Sequence, residues 1–155
     1  ANSGGVRNVK GELILPTEYE EPTMDENKRR GMSTNFGIWW DGDLLRELLD
    51  HETVQKYDWK TGRVNVIKRF DGRFNNGTKS NPCLSGDILG DWREEVLVRD
   101  AQSTMLKLYT TDIPTDHRIT CIMQDVPYRL SIATENVAYN QPPDPGFYLG
   151  VGMKK

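Results

Sequence analysis

Cysteine is scarce in this chain: Cys83 and Cys121 are the only two in 155 residues. No histidine sits at ligand spacing to either, which excludes a zinc-ribbon type of Cys/His framework. One bridge or two free thiols remain open, and two small buried hydrophobes is the reading adopted. Histidine is as rare. His51 and His117 lie far apart in sequence, belong to no catalytic set, and are expected as surface or hydrogen-bonded loop residues. Apolar residues make up only 36%, and no run approaches the ~20 residues of a membrane span. The core must be lean, or be completed by something outside the chain. A basic stripe is also lacking. Twenty Lys and Arg face 23 Asp and Glu, for a net charge of −3 with the signs interspersed, which argues against nucleic acid as a partner. A signal peptide is missing too, although the chain opens on Ala1, as a cleaved leader or a longer parent would leave it.

What is present centres on residues 75–95, NNGTKSNPCLSGDILGDWREE. A tight polar turn, Asn75-Asn76-Gly77-Thr78-Lys79, is followed by Asp87, Asp91 and Glu95 at intervals of four. Gly86 and Gly90 break any helix face there, so the acids read as a loop that can curl round a hard cation before a strand begins at Val96. Calcium takes several carboxylate and carbonyl oxygens at roughly 2.3–2.6 Å, and an Asp-rich loop with a glycine bend can supply them. A solvated acidic turn is the plainer alternative. A second copy occurs earlier: Asp43 and Glu47 align with Asp91 and Glu95, and Asp41 stands in for the first acid. Two similar units at this spacing suggest a blade-like repeat, since periods of roughly 40–50 residues mark propellers and solenoids.

The remaining chain reads as short strands joined by turns. Strands are predicted at 9–15, 36–40, 44–49, 54–59, 63–70, 95–99, 104–109 and 147–151, the spacing of an all-β protein. Residues 1–8 read as the tail of a loop. Residues 16–33 are a polar loop whose Lys28, Arg29 and Arg30 read as a solvated charge run, with an anion patch as the alternative. Trp39 and Trp40 must point to opposite faces of an extended segment. One belongs in the core, and the other is a sugar-stacking platform or a second packing face. Asp125 and Pro127 predict a short helix over 125–133, as N-cap and first-turn proline.

Four segments carry a family resemblance: NFGIWWDGDLLRELLD, NNGTKSNPCLSGDILGDWREEV, YRLSIATENVAYNQPP and GFYLG. The chain from about Val9 onward resembles the C-terminal part of the rhamnogalacturonan lyases of polysaccharide lyase family 11. The resemblance implies the last blades of an eight-bladed β-propeller with calcium in its acidic turns. It implies one continuous C-terminal portion over 1–155 with no second domain, and remaining blades in the same parent or a companion chain. It also implies a pectic polysaccharide, rhamnogalacturonan I, as partner, and a secreted, extracellular enzyme.

The implied chemistry is β-elimination: a proton leaves C5 of galacturonate and the rhamnosyl oxygen leaves C4. That needs the carboxylate's charge neutralised and a base in reach of C5. Carried over by motif, Asn76, Gly77 and Thr78 resemble a substrate-contacting turn, and Ala138 with Tyr139 a second contact in the same cleft. Lys79 is assigned as base or carboxylate clamp, because a desolvated lysine beside other cations can lose its proton near neutral pH. Asp41, Asp43, Glu47, Asp87, Asp91 and Glu95 are the expected calcium ligands. By themselves these residues say less: Asn76-Gly77 is a hairpin-turn signal, Lys79 an exposed lysine and Tyr139 a packing residue. Asn76-Gly77-Thr78 is also a glycosylation sequon. The alternative function is a non-catalytic, calcium-stabilised module binding pectic carbohydrate or a protein.

Overall fold

The computed structural model describes residues 5–16, 18–19, 34–77, 79–137 and 140–153. The first strand, β1 (Gly5–Arg7), pairs antiparallel with β2 (Leu13–Pro16). Asn8 makes the turn between them: its Oδ1 accepts from the Lys10 and Glu12 backbone N–H groups. This side-chain turn uses up residues 8–12, so the strand expected from Val9 starts at Leu13, and the segment expected as a loop tail supplies its partner.

A five-stranded sheet follows in the order β3-β7-β6-β5-β4. Its strands are β3 (Glu18–Tyr19), β4 (Gly37–Ile38), β5 (Glu47–Asp50), β6 (Thr53–Asp58) and β7 (Arg63–Arg69). β3 joins β7 in parallel, and the other pairs are antiparallel. Glu18 and Tyr19 are thus strand where a polar loop was expected. The rest of that loop, with Lys28, Arg29 and Arg30, lies outside the described residues. A three-stranded sheet, β10-β9-β8, is built from β8 (Leu84–Gly86), β9 (Glu95–Arg99) and β10 (Leu106–Tyr109). β8 was not anticipated, because three residues ending in a glycine show no alternation to detect.

Both larger sheets share one core. Phe36, Ile38, Trp40, Leu49, Val54 and Phe70 on one side meet Phe74, Val96 and Val98 on the other. Trp40 packs edge-on against Phe70 at 5.8 Å, and Phe70 lies 4.9 Å from the Tyr109 ring. Trp39 turns the opposite way, into a second cluster with Trp92, Ile122, Tyr128 and Leu149. The two tryptophans therefore do face opposite sides, and Trp39 is a second packing face, not a sugar platform.

Helix α1 (Val126–Thr134) forms where expected. Asp125 caps it by accepting from the Tyr128 N–H at 2.9 Å, and Pro127 sits in its first turn, where a missing N–H costs nothing. The helix packs on β8 at Gly86, where an added Cβ would lie 2.6 Å from Ile132 Cδ1. The expected strand at 147–151 does not form. Leu149 is buried, Tyr148 is exposed, and its hydroxyl turns back to donate to the Val151 carbonyl. The Met153 N–H then closes a turn on the Gly150 carbonyl.

Propeller blades are not what these residues build. The described chain holds three small sheets, of two, three and five strands, and they close into no ring or barrel. The two larger ones face each other across a shared core in the layered manner of two packed sheets. The repeat that suggested blades is local: it is one hairpin loop built twice, between β4 and β5 and between β8 and β9.

Candidate functional site

The polar turn is closed at its base by backbone pairing. The Asn75 N–H donates to the Asn81 carbonyl at 2.7 Å, and the Asn81 N–H returns to the Asn75 carbonyl at 3.2 Å. Within it, the Ser80 N–H reaches the Asn76 carbonyl at 2.6 Å. Asn76 and Ser80 both hold left-handed backbone, at φ 55° and 47°, which asparagine tolerates better than most side chains. Asn76 and Gly77 are exposed, and nothing lies within 4 Å of where a Gly77 Cβ would stand. The backbone there is open to a close-lying ligand. Lys79 is half-buried, and its Nζ donates to Asn35 Oδ1 at 3.1 Å.

Asn76 Nδ2 lies 3.5 Å from Asn140 Oδ1. The turn and the end of the 136–140 segment are therefore neighbours, although 64 positions separate those two residues. Thr78, Ala138 and Tyr139 lie outside the described residues. The structure thus joins Asn76, Gly77 and Lys79 in one turn, exposed at Asn76 and Gly77, and sets Asn140 against it. Asn35, Asn81, Asn136 and Asn140 were not singled out in the sequence, since isolated asparagines give no periodic or motif signal.

The first acidic set does come together. One oxygen each of Asp41, Asp43 and Glu47 lies within 4.8 Å of the others, close enough to hold a metal ion. The cation among them is the Lys56 ammonium, at 2.9, 2.8 and 2.5 Å from Asp41, Asp43 and Glu47. β6 delivers it, since this strand pairs with β5 directly behind Glu47. Burial works against the Lys56 charge, but the three carboxylate hydrogen bonds outweigh it and raise the pKa. Burial pushes the Glu47 carboxyl up to about 7, with the Lys56 bond and the Trp40 N–H opposing. A calcium ion at this place would have to displace Lys56.

The second acidic set stays apart. Asp87 is buried and accepts from the Ile122 N–H at 2.6 Å. Asp91 pairs with Arg93. Glu95 accepts from the Ile88 and Leu89 N–H groups and from the Thr110 hydroxyl. Between the two loops lies Glu94, fully buried, accepting from the Trp39 N–H and the Tyr128 hydroxyl with Arg46 at 3.7 Å. Burial raises its pKa against the pull of Arg46. Both cysteines are free and half-buried. The histidines form no catalytic pair: His51 lies beside Asp50, and His117 against the Trp92 ring.

The chain is thus sheet-built, with one amide-and-lysine turn at its surface. The chain belongs to rhamnogalacturonan lyase family 11: residues 7–155 match the model of that family's C-terminal domain. It is 55% identical over 122 residues to the rhamnogalacturonan endolyase YesW of Bacillus subtilis (strain 168), covering 78% of this chain and 20% of that protein. It is 50% identical over 132 residues to the rhamnogalacturonan exolyase YesX of the same organism, covering 79% and 22%. The crystal structure of YesW superposes with a TM-score of 0.83 at 46% identity, over 99% of this chain and 24% of that one. The chain therefore spans about a fifth to a quarter of the relatives it matches.

Proposed function

We propose that this chain is the C-terminal portion of a rhamnogalacturonan lyase and supplies one wall of its catalytic cleft. The observation that carries this reading is the placement of the Asn76–Lys79 turn against Asn140, within a chain whose relatives are rhamnogalacturonan lyases. In the proposed reaction Asn76 and the Gly77 backbone hold the sugar, and Lys79 serves as base or as clamp on the uronate carboxylate. As base, Lys79 takes the C5 proton of galacturonate. The electron pair forms the C4=C5 double bond, the C4–O bond breaks, and the rhamnosyl oxygen leaves and is protonated. The chemistry calls for charge stabilisation of the carboxylate as C5 becomes negative. A cation at Lys79 gives this directly if a base elsewhere in the cleft takes the proton. A polymer substrate of this size supports a secreted, extracellular enzyme.

The test is ultraviolet absorbance of the unsaturated uronate formed from rhamnogalacturonan I. The 155-residue chain alone is expected to give a flat trace. A full-length protein carrying it should give a rise that Lys79→Ala abolishes. Retained turnover in that variant would remove Lys79 from the mechanism.

A further inference from the structure

The turn that carries Asn76 and Lys79 is held from two sides by side-chain amides. On one side stands Asn35. Its Oδ1 accepts from Lys79 Nζ at 3.1 Å, and its Nδ2 reaches the Lys79 carbonyl at 3.5 Å. On the other side Asn76 Nδ2 reaches Asn140 Oδ1 at 3.5 Å, and Asn140 Nδ2 donates to Asn136 Oδ1 at 2.8 Å. The same Asn136 oxygen accepts from Asn81 Nδ2, also at 2.8 Å. Asn136 Nδ2 donates in turn to the Cys83 carbonyl at 2.7 Å. Asn81 and Asn140 are buried, and Asn81 is the residue whose backbone closes the turn.

This chain of contacts needs amides. Asn136 and Asn140 each give and accept a hydrogen bond through one short side chain, which a carboxylate cannot do at neutral pH. Asn81 precedes β8 and Asn136 and Asn140 follow α1, so the contacts tie the turn to the chain on either side of the helix–sheet packing. Asn81 and Asn140 anchor it from buried positions, while Asn136 is exposed, and a hydrogen-bonded polar network anchored in this way fixes geometry.

We propose that Asn81, Asn136 and Asn140, with Asn35 opposite, are positioning residues that set the Asn76–Lys79 turn at its working distance from the substrate. This rests on the lyase reading above. The residues touch other residues of the site, not the reacting atoms. Misplacement by about 1 Å can cost on the order of 100-fold in rate, so the expected signature is kinetic.

The test uses a full-length lyase carrying this chain, assayed on rhamnogalacturonan I. Asn136→Ala and Asn35→Ala should lower kcat/KM by about 10- to 100-fold and raise KM, with a melting midpoint close to that of the unchanged protein. Asn35→Asp keeps the acceptor for Lys79 but adds a negative charge beside it. It should keep more activity than Asn35→Ala and move the pH profile to higher pH, since an opposite charge favours the protonated lysine. If Asn136→Ala does not fold, the two Asn35 variants decide. Losses that only track the folded fraction, with KM and pH profile unchanged, overturn the proposal. So does full activity in the asparagine variants while Lys79→Ala is inactive, and then the lyase site itself stands. An active Lys79→Ala removes the site reading and the positioning role together.

Discussion

Glu47 and Glu95 do the same work 48 positions apart. Each begins a strand, each is buried, and each uses Oε2 to accept two consecutive backbone N–H groups from the loop before it. For Glu47 these are Trp40 and Asp41, and for Glu95 they are Ile88 and Leu89. They differ in the other oxygen, which meets the Lys56 ammonium in one loop and the Thr110 hydroxyl in the other. Glu95→Ala should cost about 3 kcal/mol, because two backbone donors lose a charged acceptor. Urea unfolding of the 155-residue chain measures it, and a change below about 1 kcal/mol would show that the loop does not depend on this carboxylate.

That pair also explains what the sequence disclosed and what it withheld. The spacing of Asp43 and Glu47 against Asp91 and Glu95 located the two loops correctly, because a buried acid at a strand start leaves a fixed offset from its loop. It did not disclose the global arrangement. A repeated hairpin reads the same whether its sheets close into a ring or stack face to face. Lys56 was missed because its partners lie 9 to 15 positions away, across a hairpin. The helix was legible through Asp125 and Pro127, whose effects are local. The asparagine contacts were not, since they join positions up to 64 apart.

Removing the Lys56 charge should turn the first acidic loop into a cation site. Asp41, Asp43 and Glu47 would face one another with nothing between them. Lys56→Met is expected to lose about 2–4 kcal/mol in chelator, as breaking a partly buried ion cluster does. Added calcium should recover part of that loss, whereas this loop in the unchanged chain should give no calcium-linked gain. Calorimetric titration and thermal melts with and without chelator read both effects. A variant as stable as the parent in chelator would refute the ion cluster.

Glu135 predicts a pH dependence of opposite sign to ordinary acid denaturation. Burial pushes its carboxyl up to about 7, while bonds from the Ser85 N–H and hydroxyl pull it down and the Glu94 charge raises it. The folded state thus holds a proton that the unfolded chain gives up near pH 4.5. Below that pH both states are protonated and the advantage is complete; it is lost as pH rises through about 7. Stability contributed here should fall by on the order of 1–3 kcal/mol across that window. Glu135→Gln should flatten this part of the curve. An identical pH curve for the variant would assign the slope to other groups.

The contact between α1 and β8 gives a cycle that separates packing from chemistry. Gly86 lets the helix approach so closely that a Cβ there would meet Ile132 Cδ1 at 2.6 Å. The clash is with the end of a side chain that can shift, so Gly86→Ala should cost about 1–2 kcal/mol and no more. Ile132→Val removes that methyl. On its own it should cost about 1 kcal/mol, because Ile132 packs against the buried cluster around Tyr128. Together the two changes should cost less than their sum, by roughly 1 kcal/mol. Denaturant midpoints of the four proteins measure the coupling. Strict additivity would mean that Gly86 and Ile132 do not constrain one another.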